Sequence, residues 1–248
     1  LCYHHVGLRD LGRHRDLTVS PARFERHVRW VTEHGYTAIR TGAWLAWLRH
    51  AAPLPHKPIL ITFDDAYEEI AEHALPVLEK YGQPGVVFVA TTHVGRATSW
   101  DGAPVMSAAQ IREWTARGVE FGSHTRTHPD LCQLTDAALR EEFAGSRDEL
   151  AALLGVPPVS LAYPYGSHDD RVRDIAQEYY PLVFSTLPGV NTVRSDPGRL
   201  LRTIVQSGDT VLNLALRVRL GHDPVERLRA RLAIRTRFRR LVGRPSPG

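Results

Sequence analysis

The chain has 248 residues and a mass of 27.8 kDa, a length that suits one large α/β domain better than two. With 43% hydrophobic and 23% charged residues it can bury a sizeable core, which excludes a disordered chain. No apolar run reaches the length of a membrane span, and two cysteines, Cys2 and Cys132, exclude a disulfide-rich scaffold. The net charge of +4 is unevenly placed: from Arg217 to Gly248 ten arginines face only Asp223 and Glu226, a net of +8 that leaves −4 on residues 1–216. The basic character therefore belongs to a tail, and nothing in the body points to nucleic acid. The chain starts at Leu1 in an apolar run without an initiator Met. That suggests an N-terminally incomplete sequence, exported or envelope-associated if a signal lies upstream.

In chain order, Leu1–Val6 reads as a short apolar strand. Ser20-Pro21 is a helix start with cap and first-turn proline, and Phe24, Val28 and Val31 share one face of a helix that ends near Gly35. A strand at Tyr36–Ile39 and a helix around Ala43–Arg49 follow. Pro58–Phe63 is a continuous apolar run, consistent with one strand buried on both faces. A helix is expected over Tyr67–Tyr81, a strand over Gly85–Ala90, a capped helix over Ser107–Arg117 and a strand over Val119–Gly122. The second half alternates likewise: helix from Asp136 to Leu154, strand Val159–Ala162, helix Asp170–Tyr179, strand Leu182–Ser185, a short strand near Arg202–Val205 and a helix after Thr210. Repeated β-then-α order predicts a parallel sheet with helices outside, open or closed into a barrel.

Three segments at strand ends carry chemistry. Asp64 and Asp65 follow the Pro58–Phe63 run, where parallel α/β folds place catalytic groups. Adjacent carboxylates repel and call for a cation or a shared proton, although Asp at such a junction also commonly caps the next helix. His124 and His128, four apart, follow the next motif-bearing strand, and one helical turn would set both imidazoles on one face. Two His and one carboxylate with open positions make a catalytic zinc set that also suits other divalent metals. Tyr163-Pro164-Tyr165-Gly166 is a rigid turn at a third strand end, able to aim a backbone N–H and an aromatic ring into the same mouth.

Thr62-Phe63-Asp64-Asp65, His124-Thr125-Arg126-Thr127-His128 and Tyr163-Pro164-Tyr165-Gly166, in this order, resemble the first three motifs of the polysaccharide deacetylases, the NodB-homology domains of carbohydrate esterase family 4. The resemblance covers roughly residues 1–206, leaving 207–248 as a helical, Arg-rich extension. It implies a distorted (β/α) barrel of about seven strands, fewer than a full eight. It also implies metal-dependent removal of N-acetyl groups from amino-sugar polymers. By that resemblance Asp64 is the general base, Asp65, His124 and His128 hold one divalent metal (zinc first, with cobalt, nickel or iron as alternatives), and the Tyr165 backbone N–H helps hold the oxyanion. Pro164, Tyr165 and Trp100 are candidate substrate contacts, Trp100 because it stands beside Asp101 and Gly102 in the loop after the strand Gly85–Ala90. Trp30, Trp44, Trp47 and Trp114 have amphipathic helical spacing and read as packing residues.

Two positions depart from the family. Many members carry an Arg two residues before the third-motif proline, and here that position is Ala162. Many also have a late Leu-x-x-His motif, whereas the one His after residue 168 is His222, a poor match. A circularly permuted subgroup acting on poly-N-acetylglucosamine instead has a Tyr-His strand at its N-terminus, which Leu1-Cys2-Tyr3-His4-His5-Val6 resembles. His4, on the same strand face as Cys2, is then the candidate general acid, with His5 turned to the outer helices. Arg202 is a candidate to supply the missing guanidinium, against the ordinary reading of a surface or salt-bridge arginine. Competing readings are a non-catalytic carbohydrate-binding member of the fold and a glycoside hydrolase, whose carboxylates would stand roughly 5–10 Å apart across a sugar. In the tail, Val225, Leu228 and Leu232 fall on one helical face, a candidate peripheral contact with an anionic membrane or polymer.

Overall fold

The computed structural model describes residues 1–221; His222 and the 224–248 tail, with its expected membrane or polymer contact, lie outside the described residues. The strands are β1 (Cys2–Tyr3), β2 (His5–Val6), β3 (Thr18–Val19), β4 (Thr37–Ala38), β5 (Pro58–Ile59), β6 (Thr62–Phe63), β7 (Val86–Val89), β8 (Glu120–Ser123), β9 (Ser160–Ala162) and β10 (Leu182–Phe184). The helices are α1 (Pro21–Glu33), α2 (Thr41–Leu48), α3 (Leu75–Lys80), α4 (Ala108–Ala116), α5 (Asp136–Leu154), α6 (Asp170–Gln177) and α7 (Val211–Leu220).

Six strands form one parallel sheet in the order β1-β6-β7-β8-β9-β10. The segment 200–205 joins its two edges. Leu200 bridges Phe184 of β10, and Ile204 bridges Cys2 of β1. The Cys2 N–H donates to the Thr203 carbonyl at 2.9 Å and the Val205 N–H to the Cys2 carbonyl at 2.8 Å. The sheet is thereby curled into a distorted barrel with a seventh, irregular stave.

Alternation along the strands sorts the side chains. Val87 and Val89 of β7 pack outward into the main core with α1 and α3, while Val86 and Phe88 point inward beside Ala162, Leu182 and Phe184. Leu161 and Val183 face α5 and α6, where Leu139, Phe143, Val172 and Ile175 cover them. With both faces covered, β7 and β10 are apolar throughout. Gly122 in β8 is needed for space, since a Cβ there would meet the Phe88 ring at 2.6 Å. The α7 helix packs against α1 and buries Leu214 in the main core.

Four local expectations need correction. Pro58–Phe63 is two strands in two sheets, because β5 pairs with β4 before the chain crosses into β6. Leu1–Val6 is likewise split at His4, with β2 turning away to pair with β3. The helix expected over Tyr67–Tyr81 contains a π-helical turn at Ile70–Ala74, where Pro76, which has no N–H, enters the following turn. Ser20 precedes α1 without a side-chain capping bond. Where caps do form, boundaries follow the sequence closely: Ser107 and Gln110 make a capping box on α4, and Gly155 ends α5 in the left-handed conformation.

His27 of α1 offers a test of the packing between α1 and α7. Its Nδ1 accepts from the Tyr3 hydroxyl at 3.1 Å and its Nε2 donates to the Asp209 carbonyl at 3.0 Å, so the neutral ring is satisfied at both nitrogens. Burial lowers its pKa to about 4. The folded chain then takes up this proton at lower pH than the unfolded chain, whose His titrates near about 6.5. The stabilisation is complete above that value and is lost as pH falls toward about 4, a change of roughly 3 kcal/mol. Urea unfolding of His27→Gln should show lower stability at neutral pH and a shallower decline on acidification than the wild type. Parallel declines would contradict this assignment.

Candidate active site

The chemistry-bearing residues gather at the C-terminal ends of the barrel strands. Asp64 and Asp65 follow β6, His124 follows β8, Tyr163-Pro164-Tyr165 follows β9 and His4 follows β1. Strained backbone marks the same places. Asp65, Ala66, Thr125, His128 and Tyr165 have φ of 69°, 50°, 65°, 61° and 59°, and only His50 and Lys57 among the other described non-glycine residues are positive. Each such conformation costs on the order of 1–3 kcal/mol and persists where its surroundings enforce it.

The turn between the two histidines shows what enforces it. It is not helical, contrary to the helical turn expected from the spacing. The Thr125 N–H donates to Ser123 Oγ at 3.0 Å and the His128 N–H to Thr125 Oγ1 at 3.1 Å. From α5, Glu142 Oε2 accepts the Arg126 and Thr127 N–H groups at 2.8 and 2.9 Å, and its Oε1 accepts the Thr127 hydroxyl at 2.7 Å. Nothing in the local sequence distinguishes Glu142 from its neighbour Glu141.

Asp65, His124 and His128 are all buried, and their ligand atoms lie within 4.8 Å of one another. His124 Nε2 and His128 Nε2 stand 3.6 and 3.3 Å from Asp65 Oδ1. Ligands bonded at about 2.0–2.1 Å to a tetrahedral cation would be spaced by roughly 3.3–3.4 Å. Asp65 Oδ1 is buried and has no hydrogen-bond partner among the described residues. Burial above all, with the Asp64 and Asp101 charges adding to it and His4 opposing, pushes the Asp65 carboxyl up to about 7. Burial also lowers His124 to about 4 and His128 to about 2, so both rings are neutral and keep a lone pair for a metal. His124 Nδ1 donates to the Ala162 carbonyl at 2.8 Å, which fixes Nε2 toward Asp65. The donor set fits a divalent cation.

Asp64 is held differently. Arg202, 3% exposed, grips it with both ends of the guanidinium: Nη1 to Oδ1 at 2.6 Å and Nη2 to Oδ2 at 2.8 Å. Arg202 also donates from Nε to the Ser185 carbonyl at 3.0 Å and from Nη1 to Thr62 Oγ1 at 3.1 Å, and its guanidinium lies 5.3 Å from the Phe88 ring centre. The guanidinium missing at Ala162 thus arrives from the closing segment. Burial by itself would raise the Asp64 carboxyl, but the Arg202 guanidinium outweighs it and holds the group well below the usual carboxylate range. Neither Asp is a helix cap.

The remaining candidates separate. His4 Nε2 lies 4.0 Å from Asp64 Oδ2. His5 is buried and has other partners, with Nε2 2.7 Å from Glu69 Oε2, Nδ1 3.2 Å from Thr18 Oγ1 and its ring edge-on to Tyr67 at 5.3 Å. Trp100 stacks on His128 with ring centres 4.2 Å apart, and its Nε1 donates to the Tyr67 hydroxyl at 3.0 Å. Tyr67 in turn donates to Asp101 Oδ2 at 2.6 Å. Tyr165 meets the His128 ring edge-on at 4.7 Å and is 62% exposed, whereas Pro164 is buried within the turn it shapes. Of the helical tryptophans, Trp30, Trp44 and Trp114 are buried. A cavity of about 540 Å³, mostly apolar, lies elsewhere, beside Trp44, Leu54 and Leu60, and shares Arg202 with this site.

The family described as polysaccharide deacetylase matches residues 51–180. A poly-beta-1,6-N-acetyl-D-glucosamine N-deacetylase of Staphylococcus aureus is 26% identical over 168 residues, which is 64% of this chain and 57% of the relative; this chain thus spans less than two thirds of that protein's length. Among solved structures, the Streptococcus pyogenes deacetylase PplD in complex with acetate is similar over 87% of this chain and 95% of its own, with 25% identity and a TM-score of 0.78. IcaB from Ammonifex degensii is similar over 89% and 94%, with 26% identity and a TM-score of 0.76. With the family match covering just over half of its length, the chain belongs to the polysaccharide deacetylase family.

Proposed function

We propose that this protein is a metal-dependent hydrolase that removes N-acetyl groups from an N-acetylated amino-sugar polymer, with poly-β-1,6-N-acetylglucosamine the first polymer to test. The observation that carries the reading is the pairing, on adjacent residues, of a cation-seeking carboxylate with an arginine-held one. Asp65 joins two neutral imidazoles, while Asp64 is kept ionised by Arg202. The S. aureus relative's name supports the substrate class. A divalent cation held by Asp65, His124 and His128, with zinc the first choice for this donor set, would polarise an acyl carbonyl and acidify water.

The chain's own residues divide the rest of the work. Asp64 accepts a proton from the attacking water; Arg202 keeps it charged and oriented for this. His4, partly exposed and 4.0 Å from Asp64 Oδ2, gives a proton to the departing amine, which leaves poorly as an anion. The Tyr165 N–H, on a turn forced into a left-handed conformation, is the donor assigned to the developing oxyanion. The exposed ring of Tyr165 and the indole of Trp100 flank His128 and offer apolar faces to sugar rings. A glycoside hydrolase is disfavoured, because Asp64 and Asp65 are adjacent at one strand end rather than opposed across a sugar, and Asp65 faces the histidines.

Asp64→Asn should retain the bound metal yet lose on the order of 10²–10⁴-fold in acetate release from N-acetylglucosamine oligomers. A loss under tenfold would remove Asp64 from the base role. His4→Ala should lose the alkaline limb of the pH–rate profile and most of kcat, whereas His5→Ala, which breaks the contact with Glu69, should keep the profile's shape. Equal, small effects from both would return the first strand to a structural role.

A further inference from the structure

Beside the metal triad lies a second set of ligand atoms that the reading above leaves partly unused. Cys2, His4 and Asp64 each bring one ligand atom within 4.8 Å of the other two. Cys2 Sγ is 3.5 Å from Asp64 Oδ2, and His4 Nε2 is 4.0 Å from the same oxygen. The set is built by the pairing of β1 with β6, which puts Cys2 opposite Thr62 and so brings both strand ends to one place. None of its atoms belongs to Asp65, His124 or His128. His4 Nδ1 is buried and has no hydrogen-bond partner among the described residues, so no second bond locks the ring.

We propose that Cys2, His4 and Asp64 form a second, inhibitory site for a thiophilic divalent cation, such as cadmium or zinc in excess. A tetrahedral ion bonded to sulfur at about 2.3 Å and to oxygen at about 2.1 Å would separate these two atoms by roughly 3.6 Å, close to the spacing already present. The ion takes the position of the thiol proton. The S–H bond breaks, the proton passes to solvent, and bonds form from the ion to Sγ, Nε2 and Oδ2 with no change of oxidation state. Oδ2 gives up only the weak bond from the thiol, so both bonds from Arg202 to Asp64 remain. Left alone, the fully buried thiol stays protonated, because burial raises it far above its ordinary range. A dication in contact reverses that preference.

The Arg202 charge opposes the second ion, which makes this site weaker than the triad and fills it second. The sulfur ligand selects soft ions over magnesium or manganese. Inhibition follows from the proposed function, because the ion would occupy the residues assigned as base and acid; binding of the ion does not depend on that function.

The test uses the full chain loaded with one equivalent of zinc and then titrated with cadmium. Bound metal is counted by equilibrium dialysis with elemental analysis, the ultraviolet thiolate-to-cadmium charge-transfer band is recorded, and acetate release is followed in parallel. The wild type should take up a second equivalent, develop the band and lose acetate release together. Cys2→Ser should hold one equivalent, show no band and need at least tenfold more cadmium for half inhibition. Cys132→Ser, which removes the other thiol, should behave as the wild type. Cys2→Ala serves if the serine variant does not fold. A single bound equivalent in the wild type, a band that disappears with Cys132 instead, or unchanged inhibition in Cys2→Ser would each overturn the site. A second equivalent with its band in a chain that never releases acetate would uphold the site and reject the functional reading alone.

Discussion

The bidentate pair between Asp64 and Arg202 ties the closing stave of the barrel to the strand that carries the site. Both side chains are almost fully buried, so each depends on the other: a charge left alone there would cost about 3–5 kcal/mol. The pair has three consequences. It holds segment 200–205 against β6 and β10, it keeps Asp64 ionised, and it occupies both Asp64 oxygens. Asp65, which has no such partner on Oδ1, is left facing two neutral histidines. Two adjacent carboxylates thus acquire opposite electrostatic states from their surroundings, and the division of roles between them follows.

Rigid geometry around that pair is bought with backbone strain. Five left-handed, non-glycine residues stand at the strand ends, held by side-chain acceptors such as Ser123, Thr125 and Glu142. Aromatic packing does comparable work on His128. Its Nδ1 has no hydrogen-bond partner among the described residues, and the ring is instead stacked under Trp100 and met edge-on by Tyr165 and His124. His124 and His128 are therefore oriented by different physics, one by a backbone carbonyl and one by ring contacts.

Much of this was legible in the sequence because it is local. Apolar runs and capping residues placed α4, α5 and the central strands within a residue or two, and alternation along Leu1–Val6 put Cys2 and His4 on one side and Tyr3 and His5 on the other. What sequence reasoning missed depends on partners distant along the chain. The Pro58–Phe63 run gives no sign that its halves belong to different sheets, since sheet membership is set by β4 and β1. An i, i+4 histidine pair fits a helix and a strained turn equally well until Glu142 is seen clamping the latter. Arg202 could be named only as a candidate for the missing guanidinium, because its partner lies 138 residues earlier.

The most direct test of the account is a crystal structure of the full chain with stoichiometric zinc, with data collected on both sides of the zinc absorption edge. The account predicts one strong anomalous peak within about 2.0–2.2 Å of ligand atoms from Asp65, His124 and His128, with Arg202 still spanning both oxygens of Asp64. A peak bound to Asp64 with Arg202 displaced, or no peak at the triad, would contradict it.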